Sequence, residues 1–382
     1  MKLFIVAGER SGDFLGAKLI AALHRISPGF RVAGVGGDAM AREGLASLFP
    51  LEDLAVMGFS AVLKRLPRLL ARMEETASAA LRFGPDALVI VDSPDFTHRV
   101  ARRVRRAAPR MPILDYVSPS VWAWRPGRAR RMRAYVTEVL ALLPFEPDAY
   151  RRLGGPPCRF VGHPLVEHLD ELRPGPDDER ARMAEPPTLL VMPGSRRSEI
   201  ERLMPVFSQT LARLKAGGLK YRATLPAVAH LEDDIRTALE SWPVQPEIVV
   251  GDAPKLAAMR RAQAALVASG TATLELALAG VPMVVAYKVS RIEASARPFI
   301  RVPSVVLPNL IVGRNAAPEY LQENCTPDAL AAALSLLLGP NRAGRAQVEA
   351  FRDLSAMLAP GGGLTPSEAA ARAVLRAVEG VQ

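Results

Sequence analysis

Cysteine is almost missing: Cys158 and Cys325 are the only two in 382 residues, and neither belongs to a CxxC pair. That argues against a disulfide framework and fits a reducing compartment. Aromatic residues make up 5% of the chain, and its arginine clusters lack the interleaved aromatics on which single-stranded nucleic acid stacks, so nucleic acid is not the expected partner. No run of about 18 uncharged apolar residues occurs, so no bilayer-spanning helix is expected. The apolar N-terminus stops at Glu9, too short for a signal-peptide core, and reads as a first buried strand. GxGxxG and DxD patterns and His/Asp clusters are absent, so neither a dinucleotide, a metal nor another cofactor is expected.

What is present is apolar and basic. Hydrophobic residues form 49% of the chain, enough for full cores, and 49 Lys and Arg against 39 Asp and Glu leave a net charge of +10. Such a balance attracts polyanions, anionic lipid headgroups or phosphorylated substrates. The length favours two domains. Short apolar runs at Leu3–Ala7, Arg31–Gly36, Ala87–Val91, Ile113–Val117 and Val139–Leu143 alternate with helical patterns such as Leu15–Leu23. Continuous apolar strands of this kind belong to a doubly wound parallel α/β sheet buried on both faces. Leu169–Pro187 is charged, proline-rich and unperiodic, and reads as an inter-domain connection. The alternation then restarts with Thr188–Met192, Arg222–Leu225, Glu247–Val250, Ala264–Ala268 and Pro282–Tyr287. The expected domains are 1–168 and 169–355, with a ligand cleft between them. A final segment, 356–382, carries a helix to about Glu379 that follows a triple-glycine break, opens on Thr365-Pro366-Ser367-Glu368, and is expected to pack back on the N-terminal domain.

Four turns at strand ends carry the candidate chemistry. In Gly8-Glu9-Arg10-Ser11-Gly12-Asp13, two glycines let a ligand approach a helix start. Glu9 is the candidate for function, and Asp13 is expected to cap the helix. In Asp92-Ser93-Pro94-Asp95, Asp92 emerges from a buried strand, where it can accept a proton from an attacking hydroxyl, while Asp95 is expected to cap the next helix. In Gly194-Ser195-Arg196-Arg197-Ser198, the guanidinium of Arg196 suits phosphate oxygens, Arg197 reads as a solvated surface group, and Ser198 with Glu201 forms a capping box. In Ser269-Gly270-Thr271, a strand end opens into a helix whose unpaired N–H groups attract an anion, with Glu275 one turn further on. Arg99, Arg102, Arg103, Arg105 and Arg106, and then Arg125, Arg128, Arg130, Arg131 and Arg133, form either a solvated face or a surface docking on anionic lipid, aided by apolar residues from Met57 to Leu70.

The segments GERSGDFLGA, LAVMGFSAVLKRLP, DSPDF, YVSPSVWAWRPGR, LLPFEP, FVGHPL, PGSRRSEI, SGTATLE, PMVVAYKV and LPNLIVGRNAAPEYLQENC follow one another from Val6 to about Cys325. In that order they resemble the lipid-A-disaccharide synthase family of inverting glycosyltransferases. The resemblance implies a GT-B fold of two Rossmann-like domains and a metal-independent transfer. UDP-2,3-diacylglucosamine would be the donor, and the acceptor the 6-hydroxyl of 2,3-diacylglucosamine 1-phosphate. It makes Asp92 the general base and gives the diphosphate to Arg196 and the Ser269-Gly270-Thr271 turn, with Gly194 and Ser195 also in the substrate and nucleotide site and Glu275 on the ribose. Glu9, Ser11, Gly12, Asn309 and Gln322 would line the site. It further implies a peripheral protein at the cytoplasmic face of the inner membrane, which favours docking for the arginine clusters, and a homodimer open to exchange of the C-terminal helix. Arg10 departs from the small residue usual in that turn. The alternatives are another two-domain UDP-sugar enzyme, such as an epimerase, or a non-catalytic basic membrane-binding protein.

Overall fold

Buried apolar runs produce strands, and amphipathic stripes produce the helices that cover them. The computed structural model describes residues 1–54, 59–290, 302–338 and 343–380, which form two compact units, 1–167 with 358–382 and 168–357.

The first unit holds β1 (Lys2–Ala7), β2 (Arg31–Val35), β3 (Ala87–Val91), β4 (Ile113–Tyr116), β5 (Glu138–Ala141) and β6 (Cys158–Phe160). They form a parallel sheet in the order β2-β1-β3-β4-β5-β6. Its helices are α1 (Arg10–Ile26), α2 (Asp38–Arg42), α3 (Phe59–Phe83), α4 (Thr97–Ala107), α5 (Gly127–Met132) and α6 (Glu146–Arg152). Leu15, Leu19 and Leu23 of α1 repeat at four-residue spacing and are buried against Ala370, Val374 and Val378 of the C-terminal helix Pro366–Glu379. That helix carries the capping box read from its sequence, with Thr365 and Glu368 bonded to each other's backbone N–H. Glu167 bridges Lys18 Nζ and Ser367 N, each at 2.8 Å.

The second unit holds β7 (Thr188–Met192), β8 (Arg222–Ala227), β9 (Glu247–Val250), β10 (Ala264–Ala268), β11 (Met283–Tyr287) and β12 (Glu319–Leu321), parallel in the order β12-β11-β10-β7-β8-β9. Its first helices are α7 (Leu169–Leu172), α8 (Pro176–Arg182), α9 (Arg197–Ala216), α10 (Glu232–Leu239), α11 (Asp252–Arg261) and α12 (Thr271–Leu278). The stretch 169–187, expected to be an irregular connection, instead forms α7 and α8. Asp178 accepts from Arg260 at 2.9 Å and Arg261 at 3.0 Å, and Arg182 donates to the carbonyls of Arg260 and Ala279. Long-range partners order a segment whose composition alone suggests a loop.

Two capping expectations are also corrected. Asp13 does not cap its own helix: it accepts from the backbone N–H of Gly37, Ala39 and Met40 at 2.7–3.0 Å, closing the start of α2. Asp95 caps nothing and instead pairs with Arg128 at 3.0 Å.

Candidate functional site

Strand order changes direction between β1 and β3 in the first sheet and between β7 and β10 in the second. Crevices outside such switch points are where open α/β sheets take ligands, because the loops on either side run to opposite faces. All four turns singled out from the sequence follow these four strands.

At the first switch point, Asp92 and Ser93 both adopt left-handed backbone, φ 52° and 44°. Non-glycine residues rarely do so in succession, and the surrounding bonds hold them there. Thr97 Oγ1 donates to the carbonyls of Asp92 (2.7 Å) and Ser93 (3.1 Å), and Asp92 N donates to Tyr116 O at 3.1 Å. Ser11 Oγ donates to Asp92 Oδ2 at 3.3 Å, and Ser93 Oγ donates to Glu9 Oε1 at 2.7 Å. A Cβ on Gly8 would stand 2.4 Å from the Cβ of Ser93, and one on Gly12 would stand 3.1 Å from Val91 O. Glycine at both places therefore lets the two turns approach. Burial pushes the Asp92 carboxyl above its ordinary range, and the charges of Glu9 and Asp115 add to this against the hydrogen bonds from Ser93 N and Ser11. A carboxylate so placed is a stronger base than an exposed one and can accept a proton from a hydroxyl.

At the second switch point the Gly194 and Gly270 turns leave neighbouring strands, since Met192 pairs with Val267. Glu199, rather than the expected Ser198–Glu201 pair, closes the start of α9. Its carboxylate accepts from Ser195 N at 3.1 Å, Arg196 N at 3.3 Å and Arg196 Nη1 at 2.9 Å. Gly194 has φ 114°, and a Cβ there would meet Glu199 Oε2 at 2.4 Å. The Arg196 side chain is 71% exposed, so its guanidinium reaches solvent while one corner rests on Glu199. Arg197 pairs with Asp234. Ser269 Oγ donates to Val305 O at 2.7 Å, and Gly270 precedes Thr271, the first residue of α12. A Cβ on Gly270 would meet no atom of the described residues within 4 Å. Glu275 holds Lys255 Nζ between its two oxygens, at 2.9 and 2.8 Å.

Two expected site residues are committed to the fold. Asn309 is 2% exposed: its Nδ2 donates to Ala317 O and Asn315 Oδ1, and its Oδ1 accepts from the N–H of Ala316 and Ala317. It therefore shapes the 304–317 loop from inside instead of lining an open surface. Gln322, at φ 51°, accepts from Val289 N at 2.9 Å, tying the loops after β11 and β12 together.

The sequence did not single out Ser93, Lys255 or Glu146. Ser93 and Lys255 become visible only through partners distant in the chain. Glu146 carried a signal, an acid embedded in the apolar LLPFEP. Its carboxylate is buried, accepts from Trp122 Nε1 and Leu143 N at 3.0 Å each, and is pushed up to about 7 by burial. Trp122 in turn stacks edge-on against Phe145. Among the described residues, no group of three or more His, Cys, Asp or Glu is assembled for a metal, and no helix is long and apolar enough to cross a membrane.

Comparison with known proteins places this geometry in a family. Among solved structures, a UDP-GlcNAc 2-epimerase from Neisseria meningitidis bound to UDP-GlcNAc superposes with a TM-score of 0.63 at 13% identity, covering 98% of this chain and all of that one. A glycotransferase of kitacinnamycin gives 0.60 at 18% identity, covering 98% of each chain. At such identities they show the fold, the two-domain GT-B arrangement of parallel sheets. Sequence relatives are much closer. Lipid-A-disaccharide synthases of Nitrobacter hamburgensis and Bradyrhizobium diazoefficiens are 56% and 55% identical over 376 residues, which is 98% of this chain and 95% and 96% of theirs. That of Rhodospirillum centenum is 45% identical over 380 residues. The family model described as lipid-A-disaccharide synthetase matches residues 3–362, and with relatives at this identity over nearly the full length, the chain belongs to that family of glycosyltransferases of lipid A biosynthesis.

Proposed function

We propose that the chain transfers diacylglucosamine from UDP-2,3-diacylglucosamine to the 6-hydroxyl of 2,3-diacylglucosamine 1-phosphate with inversion. Asp92 removes the hydroxyl proton as the oxygen attacks the anomeric carbon, the bond from that carbon to the diphosphate breaks, and UDP leaves. The observation that carries the reading is Asp92 itself: a carboxylate at a switch point, on strained backbone, with its proton affinity raised by burial.

The diphosphate is assigned to Arg196 and to the turns at Gly194-Ser195 and Gly270-Thr271, where a guanidinium and the start of α12 supply positive charge. Glu275 is assigned to the ribose, with Lys255 fixing its orientation. Glu9, Ser11 and Gly12 shape the acceptor side around Asp92, while Asn309 and Gln322 act through the loops they hold.

A lipid surface is the proposed place of work. Leu66 and Leu70 of α3 are 38% and 39% exposed, and Arg99, Arg106, Arg130 and Arg133 are exposed on or beside α4 and α5. Met57, named with these apolar residues, lies outside the described residues. Arg102, Arg103 and Arg105 are already bonded to Tyr135, Glu74 and Thr137, so a smaller basic set than the sequence suggests would meet the membrane. The test of the reaction is mass spectrometry of products from purified protein with both acylated sugars. A disaccharide monophosphate plus UDP is expected; UDP-linked epimer alone would identify an epimerase instead.

A further inference from the structure

Beside the Asp92 turn lies a buried constellation that the proposed chemistry leaves unused. His98, on the first turn of α4, is 3% exposed, and Asp115, in β4, is fully buried. His98 Nε2 stands 3.2 Å from Asp115 Oδ2, and His98 Nδ1 stands 3.0 Å from Tyr135 Oη. Arg102 donates to the same phenol at 3.2 Å and lies 4.7 Å from its ring centre. Neither oxygen of Asp115 accepts an aligned hydrogen bond among the described residues. A buried carboxylate in that condition is costly unless a counter-group stands beside it.

The placement relative to Asp92 is specific. Asp115 pairs in register with Ile90, and the next residue, Tyr116, accepts from Asp92 N. Thr97 ties the start of α4 to the Asp92 turn, and His98, one residue on, brings its Nε2 to 3.2 Å from the Asp115 carboxylate in β4. We propose that His98 and Asp115 form a positioning pair for Asp92: they lock the first turn of α4 against β4 and set the charge behind the base.

The groups around the pair leave it few ways to be neutralised. Tyr150 from α6 and Cys158 from β6 both feel the charge of Asp115, and burial pushes their phenol and thiol well above the ordinary range, so both stay uncharged. Burial likewise raises the phenol of Tyr135, against the pull of Arg102 and Arg128. His98 is the ring that faces the carboxylate, at 3.2 Å. On the Asp92 side, the charges of Glu9 from the turn before α1 and Asp115 from β4 both raise the base.

The inference rests on Asp92 being the base, so the experiment starts by separating the two ideas. Near-normal turnover of Asp92→Asn removes the base and the pair's role together. With Asp92→Asn inactive, the acid limb of the pH profile of kcat/KM is compared in folded Asp115→Asn and His98→Gln. Asp115→Asn, which removes a charge acting on the base, is expected to move the limb down by roughly one pH unit, and His98→Gln, which removes the ring that contacts Asp115, to displace it as well. In both, kcat falls about tenfold with the KM for the UDP-sugar unchanged. A limb that stays at the wild-type position in both folded variants overturns the proposal and leaves the pair a packing feature. If either single variant fails to fold, Tyr135→Phe takes its place: it removes the hydroxyl that His98 Nδ1 and Arg102 share. It is expected to lower kcat severalfold at constant melting temperature, and an unchanged kcat overturns the proposal equally.

Discussion

Ser93 Oγ donates a 2.7 Å hydrogen bond to Glu9 Oε1, joining the turn after β3 to the turn after β1 across 84 residues of sequence. The bond forms only because Gly8 has no side chain to occupy the space of Ser93. Gly8→Ala forces the two turns apart and is expected to lower turnover at least tenfold, because misplacing a catalytic group by an ångström costs orders of magnitude in rate. Glu9→Gln keeps the shape and removes a charge beside Asp92, so the acid limb of its activity profile should move to lower pH. Steady-state kinetics over pH on both variants checks this, and wild-type kinetics in Gly8→Ala would contradict the close approach.

Asp92→Asn is expected to lower turnover by roughly two to four orders of magnitude. Stability should move the other way. A carboxyl whose folded value lies above its unfolded one binds its proton more firmly in the native state. Its contribution to stability is therefore complete below the unfolded value and is lost as pH rises through the folded one. Base function needs the ionised form, so activity appears over the range where that contribution disappears. The variant should thus melt at or above the wild-type temperature at pH 8, as measured by thermal unfolding. A lower melting temperature would show that Asp92 holds the turn together.

Arg196 and Glu275 separate by ligand binding. Charge-assisted bonds of the Arg–phosphate kind contribute about 1.5–3 kcal/mol, so Arg196→Ala should weaken UDP by roughly one to two orders of magnitude. Unchanged UDP affinity by calorimetry rules out the diphosphate assignment. Lys255→Met leaves Glu275 without its partner. It should weaken UDP less than Glu275→Ala does, since it disturbs orientation while keeping the carboxylate.

Glu146 makes the first unit sensitive to pH. Its value rises from an ordinary 4.5 to about 7 through burial, so its contribution is complete below pH 4.5 and is lost as pH climbs through 7. The difference is worth about 3 kcal/mol at most. Unfolding free energy of the wild type should therefore fall between pH 5 and 8, with a shallower slope in Glu146→Gln. Equal slopes in urea titrations would remove Glu146 as the source.

Membrane docking predicts salt-sensitive sedimentation with vesicles containing phosphatidylglycerol, weakened when Arg106, Arg130 and Arg133 are changed to Ala. Binding that ignores both salt and these changes rules out the basic face as the docking surface.

Local order was legible in the residues: apolar runs that must be strands, turns of glycine and polar residues at their ends, Asp92 and Arg196 in those turns, and Glu275 one turn into the helix that follows. Periodicity and turn chemistry act over a few residues, so they are legible without a fold. Partnership was not legible. Asp13 closing α2, Glu199 filling the turn where Ser198 and Glu201 were expected to cap, Lys255 on Glu275, Asn309 buried in its own loop, and 169–187 folded onto α11 all depend on the tertiary fold. Strand order and helix packing bring together groups from a few residues to more than eighty apart, and the residue types alone do not state which will meet. Which polar groups stay exposed and which are spent on the protein follows from the tertiary fold, because a buried polar atom must find a partner wherever the fold provides one.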